Sequence, residues 1–140
     1  MFVDFVYENE NYKIFNETTI RDWIVKVIEK ENKIPGEIYY NIISDEEILK
    51  INKEFLKHDY FTDIITFDQS LVNIINGDIF ISFDTVQSNS KIYEKDIFEE
   101  MCRVIIHGIM HLCGYGDKTD SEKKEMRQKE DFHISYLDRL

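Results

Sequence analysis

The stretch VIIHGIMHLCGYGD, residues 104–117, decides both the architecture and the chemistry expected of this chain. From Val104 to Gly116 it contains no charged residue, so we expect it to belong to a buried helix at the centre of the fold. That helix is predicted to span Ile97 to Cys113. Gly114 and Gly116 are expected to end it, because glycine readily takes the left-handed conformation found at helix ends.

Two histidines in this stretch indicate a metal site. His107 and His111 are four residues apart, so both rings leave the same helix face about one turn apart. Two histidines at this spacing are often accidental, but burying them among apolar residues without polar partners would be costly, and a metal removes that cost. After the two glycines the chain turns back and brings in Asp117. The pattern predicts one divalent metal ion, most simply Zn²⁺, bound by His107, His111 and Asp117, with a fourth position left for water, as in catalytic zinc sites.

The same spacing, H-x-x-x-H-x-x-G-x-x-D, also resembles that of zinc proteases. A zinc protease carries a glutamate directly after the first histidine, where it serves as the general base. Here that position is Gly108. A metallopeptidase-like hydrolase therefore stays open as an alternative, but without its usual proton acceptor.

Hydrophobic periodicity and capping signals predict the elements around this helix. Four strands are expected, at Phe2–Tyr7, Ile38–Ile43, Thr62–Phe67 and Asp78–Phe83. Further helices are expected around Ile20–Ile28, from Ser44 to about Leu56, from Asp84 to about Lys91, and after a capping box at Thr119 and Glu122. Asn76-Gly77 is predicted as a turn, Ile48, Ile51 and Phe55 as the buried side of their helix, and His133 as solvent-exposed. We therefore predict an α+β fold in a single domain over residues 1–140: a small mixed sheet of about four strands packed with about five helices, the metal-binding helix central.

The composition narrows the class of protein. Hydrophobic residues make up 43% and charged residues 32% of the 140 residues, as in ordinary globular proteins. No apolar run approaches the ~18 residues of a membrane helix, and the N-terminus lacks signal-peptide features, so a cytoplasmic protein is expected. Cys102 and Cys113 are predicted to be small apolar side chains and not a disulfide, because they would lie ~16 Å apart on one helix. The net charge of −11 predicts repulsion of polyanions, so any nucleic acid must be held by a local patch, a metal or a partner.

At the level of motifs, the chain resembles the YbeY family of bacterial rRNA-maturation endoribonucleases. The family motif H-G-x-x-H-L-x-G-Y-x-H is matched by His107, Gly108, His111, Leu112, Gly114 and Tyr115. Residues 52–67 resemble the family block N-x-x-[FY]…D-x-x-T-[DN]-V-L-S-F, and residues 77–82 are similar to its G-D-I-x-I-S strand. Met126 stands where the following helix usually has a methionine. The resemblance extends from about Ser44 to Glu130.

Two residues depart from the family pattern. The third ligand of the family is usually histidine, and here the matching residue is Asp117, which is also a competent zinc ligand. The family commonly has an arginine where this chain has Leu56, and Lys57 or His58, which follow, could supply that positive charge. The resemblance also implies that Asp78 lies beside the metal, where it could orient water or an imidazole N–H.

The resemblance implies a metal-dependent, most simply zinc-dependent, single-strand endoribonuclease acting in ribosomal RNA maturation and ribosome assembly. Its expected partners are ribosomal RNA and small-subunit ribosome components, with no membrane and no nucleotide cofactor, while the oligomeric state is left open. The motif contains no evident general base. A non-catalytic ribosome-assembly factor with a structural metal is the second alternative to an endoribonuclease, beside the metallopeptidase-like hydrolase.

Overall fold

The computed structural model describes residues 2–57 and 62–137, and these form four strands and five α-helices. The strands are β1 (Phe2–Tyr7), β2 (Ile34–Ile43), β3 (Ile64–Asp68) and β4 (Ile74–Ser82). The helices are α1 (Glu17–Lys30), α2 (Asp45–Leu56), α3 (Phe83–Ile92), α4 (Ile97–Leu112) and α5 (Asp120–Ser135). The sheet has the order β1-β2-β4-β3, with β2 parallel to β1 and β4, and β3 antiparallel to β4. The predicted α+β fold with a small mixed sheet is confirmed.

Helix α4 lies directly against the sheet, as predicted for a central helix. Gly108 allows this close approach, because a Cβ there would come within 3.0 Å of Ile64 and 3.1 Å of Ile79. Gly77 of β4 allows the same close approach on the sheet side of the contact. A Cβ at this position would meet Leu112 at 3.0 Å and the Phe67 carbonyl at 2.8 Å. The helix is thus pressed onto β3 and β4 by one face.

Two predictions, the Asn76-Gly77 turn and the burial of Phe55, are wrong. Asn76 and Gly77 lie inside β4 and form no turn, because the Asn76 side chain accepts a hydrogen bond from the Glu37 N–H (2.8 Å) where the β2–β4 register is irregular. The hairpin turns earlier, at Val72, whose φ is +53°. Phe55 is 62% exposed instead of buried, whereas Ile48 is buried as expected.

The helix caps follow the sequence signals in part. Thr119 and Glu122 form the predicted capping box of α5, with both reciprocal hydrogen bonds present. The sequence pattern also predicts a capping box at Ser44 and Glu47. Ser44 accepts a hydrogen bond from the Glu47 N–H, but the Glu47 side chain bonds Lys50, so the reciprocal bond of a capping box is not made. Helix α3 begins after Ser82 and not after Asp84.

Both cysteines are free, with Cys102 buried and Cys113 half-buried. Over the residues described, none of the helices is long and apolar enough to cross a membrane.

Candidate metal centre

Three side chains from α4 and the turn that follows it converge on one point. The Nε2 atoms of His107 and His111 are 2.9 Å apart, and the Asp117 Oδ2 atom lies 3.2 Å from the first and 3.3 Å from the second. Within the described residues these three form the one group of histidine, cysteine and acidic side chains placed to hold a metal ion. The structure therefore brings together the three residues predicted as ligands.

A carboxylate fixes the ring of His107. Its Nδ1 atom lies 2.6 Å from an oxygen of Glu130, a side chain of α5 that is 5% exposed. The guanidinium of Arg103 bonds the other Glu130 oxygen at 2.9 Å and Asp131 at 2.7 Å. Burial opposes protonation of His107, but the Glu130 carboxylate, together with Asp63 and Asp117, outweighs burial and raises the histidine pKa.

The turn after α4 fixes the ring of His111. Gly114 has φ +106°, the left-handed conformation expected for it, and the Tyr115 N–H then bonds back to the Met110 carbonyl at 3.0 Å. This closure places the Tyr115 carbonyl 2.9 Å from Nδ1 of His111. Two residues later the chain presents Asp117 to the histidine rings.

The donor set fits a divalent metal such as zinc. A carboxylate and a backbone carbonyl only accept hydrogen bonds, so the Nδ1 atoms facing Glu130 and Tyr115 must carry the protons of neutral His107 and His111. Both Nε2 lone pairs then face each other and the Asp117 carboxylate, an arrangement that repels unless a proton or a cation lies between them. Two imidazole nitrogens and one carboxylate oxygen are ordinary zinc ligands, and a hydrogen bond to Nδ1 from outside is the usual way to orient them.

The cluster lies between two open clefts. The first cleft, about 420 Å³, runs past Asn52, Leu56 and Thr66. The second, about 380 Å³, runs past Tyr93, Lys123 and Arg127. Asp63, His107 and Asp117 line both clefts, so the two meet at the cluster. An extended polymer could therefore cross the cluster from one cleft to the other.

Comparison with known proteins decides the family. The chain matches the family described as Endoribonuclease YbeY over residues 5–138. This chain belongs to the YbeY family. Proteins named Endoribonuclease YbeY from Christiangramia forsetii and Flavobacterium johnsoniae are 45% and 46% identical to it over 133 residues, covering 95% of this chain and 92% and 95% of those relatives. A Thermotoga maritima protein known from its solution structure has a TM-score of 0.66 at 27% identity, covering 98% of this chain and 89% of that one.

Asp78 does not join the cluster, although the resemblance to the YbeY family implied that it would. Side chains alternate across a strand, and its neighbours Gly77 and Ile79 face α4. Asp78 therefore lies on the opposite face of the sheet, where its carboxylate accepts a hydrogen bond from Gln69 at 3.3 Å. The prediction that it lies beside the metal is wrong for this reason.

Leu56, which stands where the YbeY family commonly has an arginine, and Lys57 lie at the end of α2. Leu56 lines the first cleft. Lys57 is exposed and caps the helix in a left-handed conformation, with φ +57°. His58 lies outside the described residues.

Sequence reasoning missed Glu130 and the buried polar network beyond it. Glu31, at the end of α1, accepts hydrogen bonds from the Tyr115 hydroxyl (2.7 Å), from His133 Nε2 (2.7 Å) and from Lys129 (3.2 Å). His133 is 0% exposed, so its predicted exposure is wrong. A signal was present, because Met126, Glu130 and His133 are spaced i, i+4, i+7 and are the buried residues of α5.

Proposed function

We propose that this chain is a metal-dependent endoribonuclease that cleaves single-stranded RNA in ribosomal RNA maturation. His107, His111 and Asp117 would bind one ion, most simply Zn²⁺. The observation that carries the proposal is the convergence of three ligand atoms at the junction of two open clefts. Membership of a family whose relatives are named endoribonucleases supports it.

The bound ion would act as a Lewis acid that polarises a phosphoryl oxygen and activates water. The chain itself orients the site: Glu130 holds the ring of His107, and the Tyr115 carbonyl holds that of His111. The clefts are open to solvent and suit a flexible single strand. Lys57, at the end of α2, or His58 would neutralise charge that develops on the phosphate.

Ribosomal components are the proposed partners. With a net charge of −11, the isolated chain is expected to repel RNA in general. Small-subunit ribosomal components would supply the missing recognition and bring the RNA to the cluster.

The structure weighs against a metallopeptidase. The position after the first histidine is Gly108, which packs against Ile64 and Ile79 and has no side chain to serve as the general base of a zinc protease.

The number of protein ligands bears on the alternative of a non-catalytic assembly factor with a structural metal. Structural zinc sites are usually closed by four protein ligands, whereas the described residues supply three, beside two open clefts. An open coordination position favours catalysis.

The direct test uses an end-labelled single-stranded RNA and a casein-like peptide, each incubated with protein reconstituted with Zn²⁺. We expect the RNA to be cut, the peptide to stay intact, and cleavage to follow metal occupancy through chelation and reconstitution. His107→Ala should abolish cleavage while circular dichroism shows an intact fold. Robust cleavage by chelated wild type would reveal a contaminating nuclease, and inactive metal-loaded protein that still binds ribosomal particles would favour the assembly factor.

A further inference from the structure

The two clefts differ in the charges that line them. The first cleft has no lysine or arginine among its described lining residues. The second, between α3, α4 and α5, is lined by three cations, Arg103, Lys123 and Arg127. Among the lining residues that the structure describes, a polyanion that reaches the cluster therefore meets lysine and arginine in the second cleft only.

Two of these three cations are available to a ligand. Arg103 is committed to Glu130 and Asp131. Lys123 and Arg127 form no hydrogen bond or ion pair with the parts of the chain that the structure describes. Both are exposed on α5 and flank the buried Met126. Arg127 lies one turn, ~4.5 Å, and Lys123 two turns, ~10.5 Å, along the axis from Glu130, the residue that holds His107.

The carboxylates of the second cleft do not cancel this charge. Glu130 is neutralised by Arg103 and bonded to His107. Asp117 belongs to the ligand cluster, and Asp63, which lines both clefts, is a half-buried carboxylate whose pKa is raised by burial. Glu100 is 7% exposed and lies within the electrostatic reach of both arginines. The exposed charges at the rim of the cleft on α5 are therefore positive.

An exposed aromatic ring completes the second cleft. Tyr93 ends α3 and is 61% exposed, and no described aromatic side chain stacks on it. A cationic track beside an exposed aromatic ring is the combination by which proteins hold single strands, the phosphates on the cations and a base on the ring.

We propose that the second cleft is the strand-binding arm of the site: an RNA strand crosses the cluster with its phosphates on Lys123 and Arg127 and one base stacked on Tyr93. This inference rests on the proposed function. The second cleft would provide the local positive charge that an acidic chain needs to bind RNA, on the side of the cluster opposite Leu56. These residues bind and position the strand and take no part in bond cleavage.

The test compares two double variants of equal charge change. Lys123→Gln/Arg127→Gln removes the two cations of the cleft, and Lys26→Gln/Lys124→Gln removes two exposed lysines that line none of the described clefts. Binding of zinc-loaded protein to a fluorescein-labelled single-stranded DNA, which carries the same phosphates, is measured by anisotropy over a salt series. KM and kcat for RNA cleavage are measured in parallel.

Single-stranded binding loses a slope of ~0.7 in log K against log salt for each phosphate contact removed. The cleft variant should therefore lose a slope of ~1.4 and, at about 0.15 M salt, bind roughly tenfold more weakly, with a similar rise in KM and unchanged kcat. Tyr93→Ala should weaken binding about tenfold without changing the slope, and Tyr93→Phe should restore it.

Equal slopes for the two double variants would overturn the inference, as would unchanged binding in Tyr93→Ala. If zinc-loaded wild type cleaves no RNA, the proposed function fails, and the binding slopes still decide whether this cleft holds a strand.

Discussion

At the scale of single residues, the site depends on Glu130 as much as on the ligands. The Glu130 carboxylate lies 2.6 Å from Nδ1 of His107 and is itself bonded to Arg103. An acceptor at Nδ1 fixes the tautomer that leaves Nε2 free, and it raises the basicity of that nitrogen.

Glu130→Gln should lower the affinity for zinc by about 10–100-fold, because the amide is a weaker, uncharged acceptor. Competition with a chromophoric chelator measures the affinity. Asp131→Asn is the matched control, since it removes the other, exposed carboxylate bound to Arg103 and should leave zinc affinity unchanged. Equal affinities in Glu130→Gln and wild type would show that this contact does not serve the metal.

Asp117→His should retain one zinc per chain after dialysis, because imidazole replaces carboxylate in many zinc sites. Asp117→Ala should lose it, since two protein ligands remain. Metal analysis of the dialysed proteins checks both. A full complement of zinc in the alanine variant would remove Asp117 from the proposed ligand set.

The ligand triad could be predicted from sequence because its members lie within eleven positions of one another, where helix geometry and two glycines fix the distances. Glu130 and Glu31 could not be found in this way. Glu130 meets His107 only because α5 folds back onto α4, and a polar helix gave little indication of which face would be buried.

At the scale of secondary-structure elements, the alternation of β4 separates the side chains that face the cluster from those that do not. Gly77 and Ile79 face α4, and Asp78 faces away. Motif matching placed Asp78 near the metal by its position in the chain, but strand geometry decides which face a side chain occupies.

Asp78→Asn should therefore leave zinc content, kcat and KM at their wild-type values. Steady-state kinetics on the same single-stranded RNA provide the measurement. A large fall in kcat would restore the role that the motif implied.

Gly77→Ala should lower the free energy of unfolding by about 1–3 kcal/mol, the usual cost of overpacking a core. The new methyl group would meet the Phe67 carbonyl of the neighbouring strand, which cannot move without breaking the sheet, as well as Leu112 beside His111. Urea denaturation monitored by circular dichroism measures the change. An unchanged midpoint would show that α4 can move away from the sheet at little cost.

At the scale of the whole molecule, Glu31 connects distant parts of the chain. It ends α1, accepts a hydrogen bond from Tyr115 in the turn after α4, and bonds His133 and Lys129 of α5. The Tyr115 carbonyl is in turn bonded to His111. The packing of α1 against α5 is therefore linked through one tyrosine to the ring of a ligand.

Burial lowers the pKa of His133 despite the nearby Glu31 carboxylate. Below the ordinary histidine value of 6.5, the unfolded chain therefore binds more protons at this residue than the folded one, and stability falls as the pH falls. The pKa of His107 is raised, so the folded chain binds more protons at this residue than the unfolded one, and its contribution to stability increases as the pH falls. Glu31, whose pKa is lowered, keeps its charge until the pH falls below its ordinary 4.5.

The contribution of His133 is isolated by comparison with His133→Gln. Between about pH 7.5 and about pH 5.5, wild type should lose more stability than His133→Gln, because only wild type must keep a buried imidazole neutral. Urea unfolding at both pH values gives the difference. Parallel losses in the two proteins would mean that His133 takes up its proton without cost in the folded state.

The only tryptophan of the chain, Trp23, is fully buried and donates its indole N–H to the carbonyl of His133 at 2.9 Å. Its fluorescence is therefore an intrinsic reporter of whether α5 is docked. Because the same helix carries Glu130, detachment of α5 would shift the emission to longer wavelength and release His107 from its acceptor in a single event. Unlabelled protein can thus reveal, by its own emission, whether loss of the metal loosens α5 before the rest of the molecule unfolds.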